Sequence, residues 1–135
     1  RRQRQMCIRD SFGRVAAKMD DVFNYLPSRV SAVLMIAAAF LTGMDAKKAA
    51  QIYKRDRRKH ASPNSAQTES ACAGALQVQL AGDAWYFGVL HKKETIGDPI
   101  RPVEAEDIKR AGRLMYVTAV LTLLFAGMIR FWYIW

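Results

Sequence analysis

The sequence predicts an all-α fold, a helical integral membrane protein fragment in which two apolar helices flank a cytoplasmic region of helices and loops. Three observations lead there. Residues 30–44 and 114–129 carry no charge, and the second run ends in Arg130 and the cluster Phe131-Trp132-Tyr133-Ile134-Trp135. Between them, residues 45–113 hold thirteen Lys or Arg and nine Asp or Glu. The mean hydropathy of −0.09 averages over these blocks and hides them.

In chain order, residues 1–11 resemble, residue for residue, one reading frame of a transposase sequencing adapter and are read as a cloning scar. They contain four arginines and one aspartate, so without them the net charge falls from +9 to +6. No basic arm is inferred, and Cys7 goes with the scar, leaving Cys72 as a packed small hydrophobe with no disulfide or cysteine metal site. Residues 12–44 form an amphipathic lead-in and the first apolar helix. Its uncharged core is rich in the small residues that membrane helices use to pack closely, but a bilayer needs about 20 residues, so the helix must draw on residues 22–29 or lie partly buried in protein. Pro27 marks its first turn or a kink.

Residues 45–113 form the polar region. Seven positive charges lie between Lys47 and Lys59 against Asp56 alone, directly after the first apolar block, which places this loop in the cytoplasm by the positive-inside tendency. A solvated basic helix face or a headgroup contact is the alternative reading of the same run. Ser62-Pro63-Asn64-Ser65 is a turn and helix start, with Asn64 and Gln67 spaced as a capping box and a helix running from Ala66 towards Leu80, ended by Gly82-Asp83. A further helix begins at Glu104, acidic first and basic towards the membrane. Residues 114–135 are the C-terminal transmembrane helix, whose Trp and Tyr suit the headgroup layer while Arg130 reaches phosphates.

The chemistry concentrates where the basic run, the Ser-Pro-Asn-Ser turn, a helix start and Glu69 meet. Backbone N–H groups, the positive dipole end and guanidinium forks all favour an anion. Residue types alone leave a phosphate site and a structural cap beside a solvated basic face both open. Asp20 and Asp21 near the first apolar block are open between a functional pair, a helix cap and ion pairs with Arg14 or Lys18.

The ordered motifs Arg55-Asp56-Arg57-Arg58-Lys59-His60, Ser62-Pro63-Asn64-Ser65, Glu69, Ala73-Gly74-Ala75-Leu76, and Leu80 with Gly82 resemble the signature block of the adenosylcobinamide-phosphate synthase family. Phe12-Gly13-Arg14-Val15, Asp20-Asp21, Asn24, Pro27 and Arg29 upstream, and Tyr86, Gly88 and Ile96-Gly97 downstream, continue the likeness. Ala61, Ala66, Gln67-Thr68, Gln77 and Ala81 depart from the family's usual residues, which bears on substrate preference. The resemblance implies a C-terminal fragment of a multi-pass cell-membrane enzyme of cobalamin biosynthesis, an ATP-dependent amide ligase that is inactive as this fragment. It would join aminopropanol or its phosphate to adenosylcobyric acid.

The roles it implies are Arg55, Arg57, Arg58, Lys59, Ser62, Asn64 and Ser65 for substrate or phosphate, Glu69 and His60 for catalysis, and Asp56, Asp20 and Asp21 for Mg²⁺. ATP and Mg²⁺ are the implied cofactors. The implied partners are the corrinoid, aminopropanol or its phosphate, the bilayer and other membrane proteins of the pathway. A nucleic-acid partner is not expected, because the apolar blocks have no role in such a module. The alternative is a non-catalytic AmpE-like membrane sensor or regulator.

Overall fold

The computed structural model describes residues 11–60 and 62–135, so the adapter-like segment lies outside the described residues except for Ser11. Helix α1 (Ser11–Phe23) is amphipathic, with Val15, Met19, Val22 and Phe23 left exposed along one side. It breaks at Asn24, whose side-chain amide donates back to the Asp20 carbonyl at 3.0 Å and to its carboxylate at 2.9 Å. Helix α2 (Tyr25–Leu41) then leaves with a bend of 41°. Pro27 falls in its first turn, where a missing N–H costs nothing.

Helix α3 (Ala46–Asp56) starts on the Asp45 carboxylate, which accepts from the Lys48 N–H at 2.8 Å. Helix α4 (Ser65–Leu76) packs between α2 and α3. The approach of α3 and α4 depends on Gly74, because a Cβ there would lie 2.6 Å from Ala49 Cα and from the Lys48 carbonyl oxygen. The core is accordingly built from small residues. Ala38, Ala39, Ala49 and Ala75 gather around Leu114, and Ala66 and Ala73 around Ile52 and Ile96.

Helix α4 begins where the turn signal places it, but its ends differ from expectation. No capping box forms, because the Asn64 side chain points away to α1 and α2, and the Gln67 amide donates to the Arg57 and Pro63 carbonyls at 3.1 Å each. The helix stops at Leu76 rather than running to Leu80. Gln77 takes a left-handed conformation (φ 57°), the Val78 N–H returns to the Ala73 carbonyl, and the Gln77 amide donates to Asp45 at 2.9 Å. These bonds close the helix as a Schellman motif without the usual glycine.

The purely helical expectation fails between Leu80 and Ile96. Strand β1 (Leu80–Ala81) pairs antiparallel with β4 (Thr95–Ile96), and between them β2 (Ala84–Tyr86) and β3 (Val89–His91) form a separate hairpin. The hairpin reverses at Phe87 and Gly88, both with positive φ.

Helix α5 (Glu106–Ile134) runs unbroken through the last apolar block. It is the one described helix that is long and apolar enough by itself to cross a membrane, with a mean hydropathy of 1.9 over its best window. Leu114 and Thr118 bury against α2 and α4, whereas most of the helix beyond them is exposed, ending in Trp132 and Trp135. The expectation of two flanking apolar helices is thus met in part. Helix α2, at 17 residues, reaches the length of a span only as a bent pair with α1. The polar head of α5 is fixed by Asp107, which accepts from Arg101, Arg110 and the Glu104 N–H.

Candidate functional site

The basic run is organised by Asp56. Helix α3 buries Ala49, Ile52 and Asp56 on one face, which carries the carboxylate to full burial. A buried carboxylate persists only when paired. Asp56 Oδ1 accepts from Arg55 Nε at 2.7 Å and from Lys59 Nζ at 2.9 Å; Oδ2 accepts from Arg55 Nη2 at 2.8 Å and from the Gly97 N–H at 2.9 Å. The Arg55 guanidinium, reinforced by Lys59 and the Gly97 N–H, holds this carboxyl well below the usual carboxylate range although burial pushes the other way.

Gly97 has φ +84°, and a Cβ on it would sit 2.5 Å from the Val78 carbonyl oxygen. Only glycine brings an N–H to Asp56 here. The structure surrounds Asp56, expected as a metal ligand, with protein donors. Both of its oxygens are engaged by protein donors, and it ties α3 to the segment after β4.

Two clefts open on either side of the start of α4. The first, of about 620 Å³, is lined by Lys59, His60 and Glu69 on one side and by the loops around the hairpin on the other. Glu69 makes no side-chain hydrogen bond among the described residues and is half-buried. His60 is differently placed. Its Nδ1 accepts the Ser62 N–H at 3.0 Å, so the basic nitrogen is already used to hold the turn. This favours the hydrogen-bonding role over a general base. Lys59 also reaches the Thr95 carbonyl at 3.4 Å, linking the cleft wall to β4.

The second cleft, of about 340 Å³, is lined with oxygen groups. Asp20, Asp21 and Asn24 come from the end of α1, Ser28 and Ser31 from α2, and Ser62, Asn64, Ser65 and Thr68 from the turn and the first residues of α4. Asn64 is its keystone. Its amide donates to the Asp21 carbonyl at 2.9 Å, and its oxygen accepts from Ser28 at 3.3 Å and Arg29 at 3.5 Å. Ser62 donates to Asp21 at 3.4 Å. The Asn64 side chain does not cap α4; the Gln67 N–H donates to the Asn64 carbonyl at 3.3 Å, and the Ser65 and Ala66 N–H groups at the helix start have no side-chain cap.

The expected site residues thus divide into separate places. Ser62, Asn64, Ser65, Asp20 and Asp21 share the second cleft, and Lys59, His60 and Glu69 the first. Arg55 is held by Asp56 and by Asp98 at 2.8 Å, Arg57 lies 5.6 Å over the Tyr53 ring, and Arg58 is exposed. Asp56 does not join Asp20 and Asp21, and no group of three or more potential metal ligands occurs among the described residues. The Asp20–Asp21 pair amid hydroxyl and amide oxygens still suits a hard cation such as Mg²⁺, which takes one or two carboxylates and completes its shell with phosphates and water. Cys72 is half-buried, and that burial, with the Asp107 charge, pushes its thiol up.

Sequence reasoning left Ser28, Ser31, Thr68, Lys92 and Lys93 out of the site, and gave Asn24 and Arg29 no role there. The separation of these residues from their partners, 35 and 36 positions for Arg29 and Ser28 against Asn64, leaves no local signature.

Residues 8–115 match the family model described as CobD/Cbib protein, a match that begins inside the segment read as an adapter. The chain is 43% identical over 119 residues to the cobalamin biosynthesis protein CobD of Clostridium perfringens (88% of this chain, 38% of the relative). It is 45% identical over 122 residues to CobD of Pelobacter propionicus (87% and 38%), and 44% identical over 123 residues to CobD of Klebsiella pneumoniae (90% and 38%). The chain spans less than two-fifths of the length of these relatives. No solved structure matches it. With more than half of its residues matched by one family model and the motif blocks meeting at the start of α4, the chain belongs to the CobD/Cbib protein family.

Proposed function

We propose that the intact protein acts in cobalamin biosynthesis as an amide-forming enzyme. It joins the amine of aminopropanol, or of its phosphate, to the free propionate carboxylate of adenosylcobyric acid, with ATP supplying the activation. The reading is supported by the relatives' printed role in cobalamin biosynthesis. The observation that carries it is the meeting of two distant motif blocks, Asp20-Asp21 to Arg29 and Ser62 to Ser65, in one oxygen-lined cleft.

In this reading Glu69 accepts the proton that the attacking amine must lose, a task that needs a carboxylate with a free lone pair in reach of the nitrogen. The uncapped N–H groups of α4, with Ser62 and Ser65, bind phosphate oxygens. Asp20 and Asp21 would hold Mg²⁺, which when bound neutralises phosphate charge. Asn64 and Arg29 fix the turn so that these donors face one space. The region 45–113 faces the cytoplasm, where the nucleotide is available, in keeping with its basic run.

The test is growth. A strain that lacks its own synthase and must be fed cobinamide is given the intact gene and supplied with cobyric acid instead. The wild-type gene restores growth, while Glu69→Ala and Asp21→Ala reduce it severely with the protein still present in the membrane. A wild-type gene that fails to restore growth refutes the proposal and favours a non-catalytic membrane regulator.

A further inference from the structure

His60 stands between the two clefts. It lines the first, and the residue it holds, Ser62, lines the second. The hold is one bond, from the Ser62 backbone N–H to His60 Nδ1 at 3.0 Å. Ser62 passes that restraint on. Its hydroxyl donates to the Asp21 carboxylate and accepts the Asn64 N–H, each at 3.4 Å, and the Asn64 amide donates to the Asp21 carbonyl at 2.9 Å. The two 3.4 Å bonds are long and weak, so the position of Ser62 depends on its backbone bond to the ring.

An imidazole nitrogen accepts a hydrogen bond only while it carries no proton. In the neutral ring Nδ1 takes the Ser62 N–H and the proton sits on Nε2, whereas in the cation both nitrogens are donors and the Ser62 N–H faces a donor. Histidine is the side chain that changes charge between about pH 5 and 8. The His60 side chain is exposed, so it exchanges protons with solvent without any opening of the fold. The charged groups around it are Lys59 on its own segment, Glu69 on α4, and Asp83, Lys92, Lys93 and Glu94 on the loops around the hairpin, with Asp21 beyond Ser62.

We propose that His60 is a positioning residue whose proton sets the order of the second cleft's wall. With the ring neutral, the Ser62 N–H is held and Ser62 and Asn64 stay on Asp21. With the ring protonated, that bond is lost and the turn from Ser62 to Asn64 loosens. The latch is independent of the amide-forming chemistry and acts on any ligand that needs the oxygen groups of this wall.

The experiment is hydrogen–deuterium exchange of the intact protein in detergent at pH 8 and pH 5, each rate divided by the intrinsic rate of an unstructured peptide at that pH. The peptide read is the one spanning Ser62 to Ser65, with one from the body of α5 as control. The wild-type turn is expected to lose about threefold or more of its protection at pH 5 while the control holds. Asparagine accepts the N–H two residues on in the same way without titrating, so His60→Asn keeps the turn protected at both pH values, and His60→Ala shows the low protection at both. Equal wild-type protection at the two pH values, a loss shared by the control, a loss that persists in His60→Asn, or full protection in His60→Ala overturns the assignment. Growth on cobyric acid is not the readout, so a failure here leaves the proposed reaction standing and a failure there leaves the latch standing.

Discussion

Replacing Asp56 with alanine is expected to lower the stability of the protein by about 3–5 kcal/mol, and the figure can be built from its bonds. The Gly97 N–H is buried, and its φ of +84° and the adjacent Val78 carbonyl leave it little freedom to find another acceptor. An orphaned buried donor costs about 1–3 kcal/mol. The ion pairs add less, because the Arg55 and Lys59 side chains are 49% and 33% exposed and can be re-solvated, and Arg55 keeps Asp98. About 1 kcal/mol for each cation is a fair allowance after screening. At about 2–4 °C per kcal/mol for the larger intact protein, the thermal midpoint drops by about 6–20 °C.

The assay is far-UV circular dichroism of the intact protein in detergent, heated with and without Mg²⁺. A drop of less than about 4 °C refutes the hub role. A variant of unchanged stability that no longer gains stability from added Mg²⁺ restores the metal-ligand role instead.

Three further outcomes follow from the same contacts. The folded Asp56 carboxyl is held well below its unfolded value of about 3.9, so its stabilisation is complete above that pH and is lost as the pH falls towards the depressed folded value; acid titrations of stability from pH 6 to 2 therefore slope less steeply for Asp56→Asn than for wild type. Gly74→Ala places a Cβ 2.6 Å from backbone atoms of Ala49 and Lys48, which cannot swing aside, and is expected to cost about 2–3 kcal/mol in denaturant unfolding although alanine is the better helix former. Asn64→Ala removes the link from the turn to the Asp21 carbonyl, and is expected to cost about 1–2 kcal/mol while exposing residues 57–65 to faster backbone hydrogen exchange.

Much of the helical frame is legible in the sequence because its signals are local. The Ser-Pro-Asn-Ser turn starts α4 where expected, and the uncharged run before Arg130 marks the body of α5. The strands were not legible. With two or three residues each, and with positive φ at Ala81, Gly82, Phe87 and Gly88, they offer no stretch of alternation long enough to register. The end of α4 was misplaced for a related reason: Gln77 performs a closure that glycine usually performs, compensated by its bond to Asp45.

The site shows where charge-run reasoning breaks down. Seven cations in thirteen positions read as a solvated face or a ligand clamp, and the family resemblance adds Asp56 as a metal ligand. Yet Ala49, Ile52 and Asp56 recur at the spacing of one helical face, and the first two announce that this face is buried. A carboxylate on a buried stripe must find partners within the protein, and the nearest cations in the run are the ones it takes. Arg55 and Lys59 are thereby removed from the pool of free phosphate clamps, Lys59 is pinned as a wall of the first cleft, and β4 is drawn against α3 through Gly97. The loop that carries Lys92 and Lys93 hangs on that same strand. Asp56 thus bears on the first cleft at one remove: through Lys59 and Gly97 it ties α3 to the strand that follows the hairpin, so loosening it is expected to widen the cleft before it empties it of any charged group.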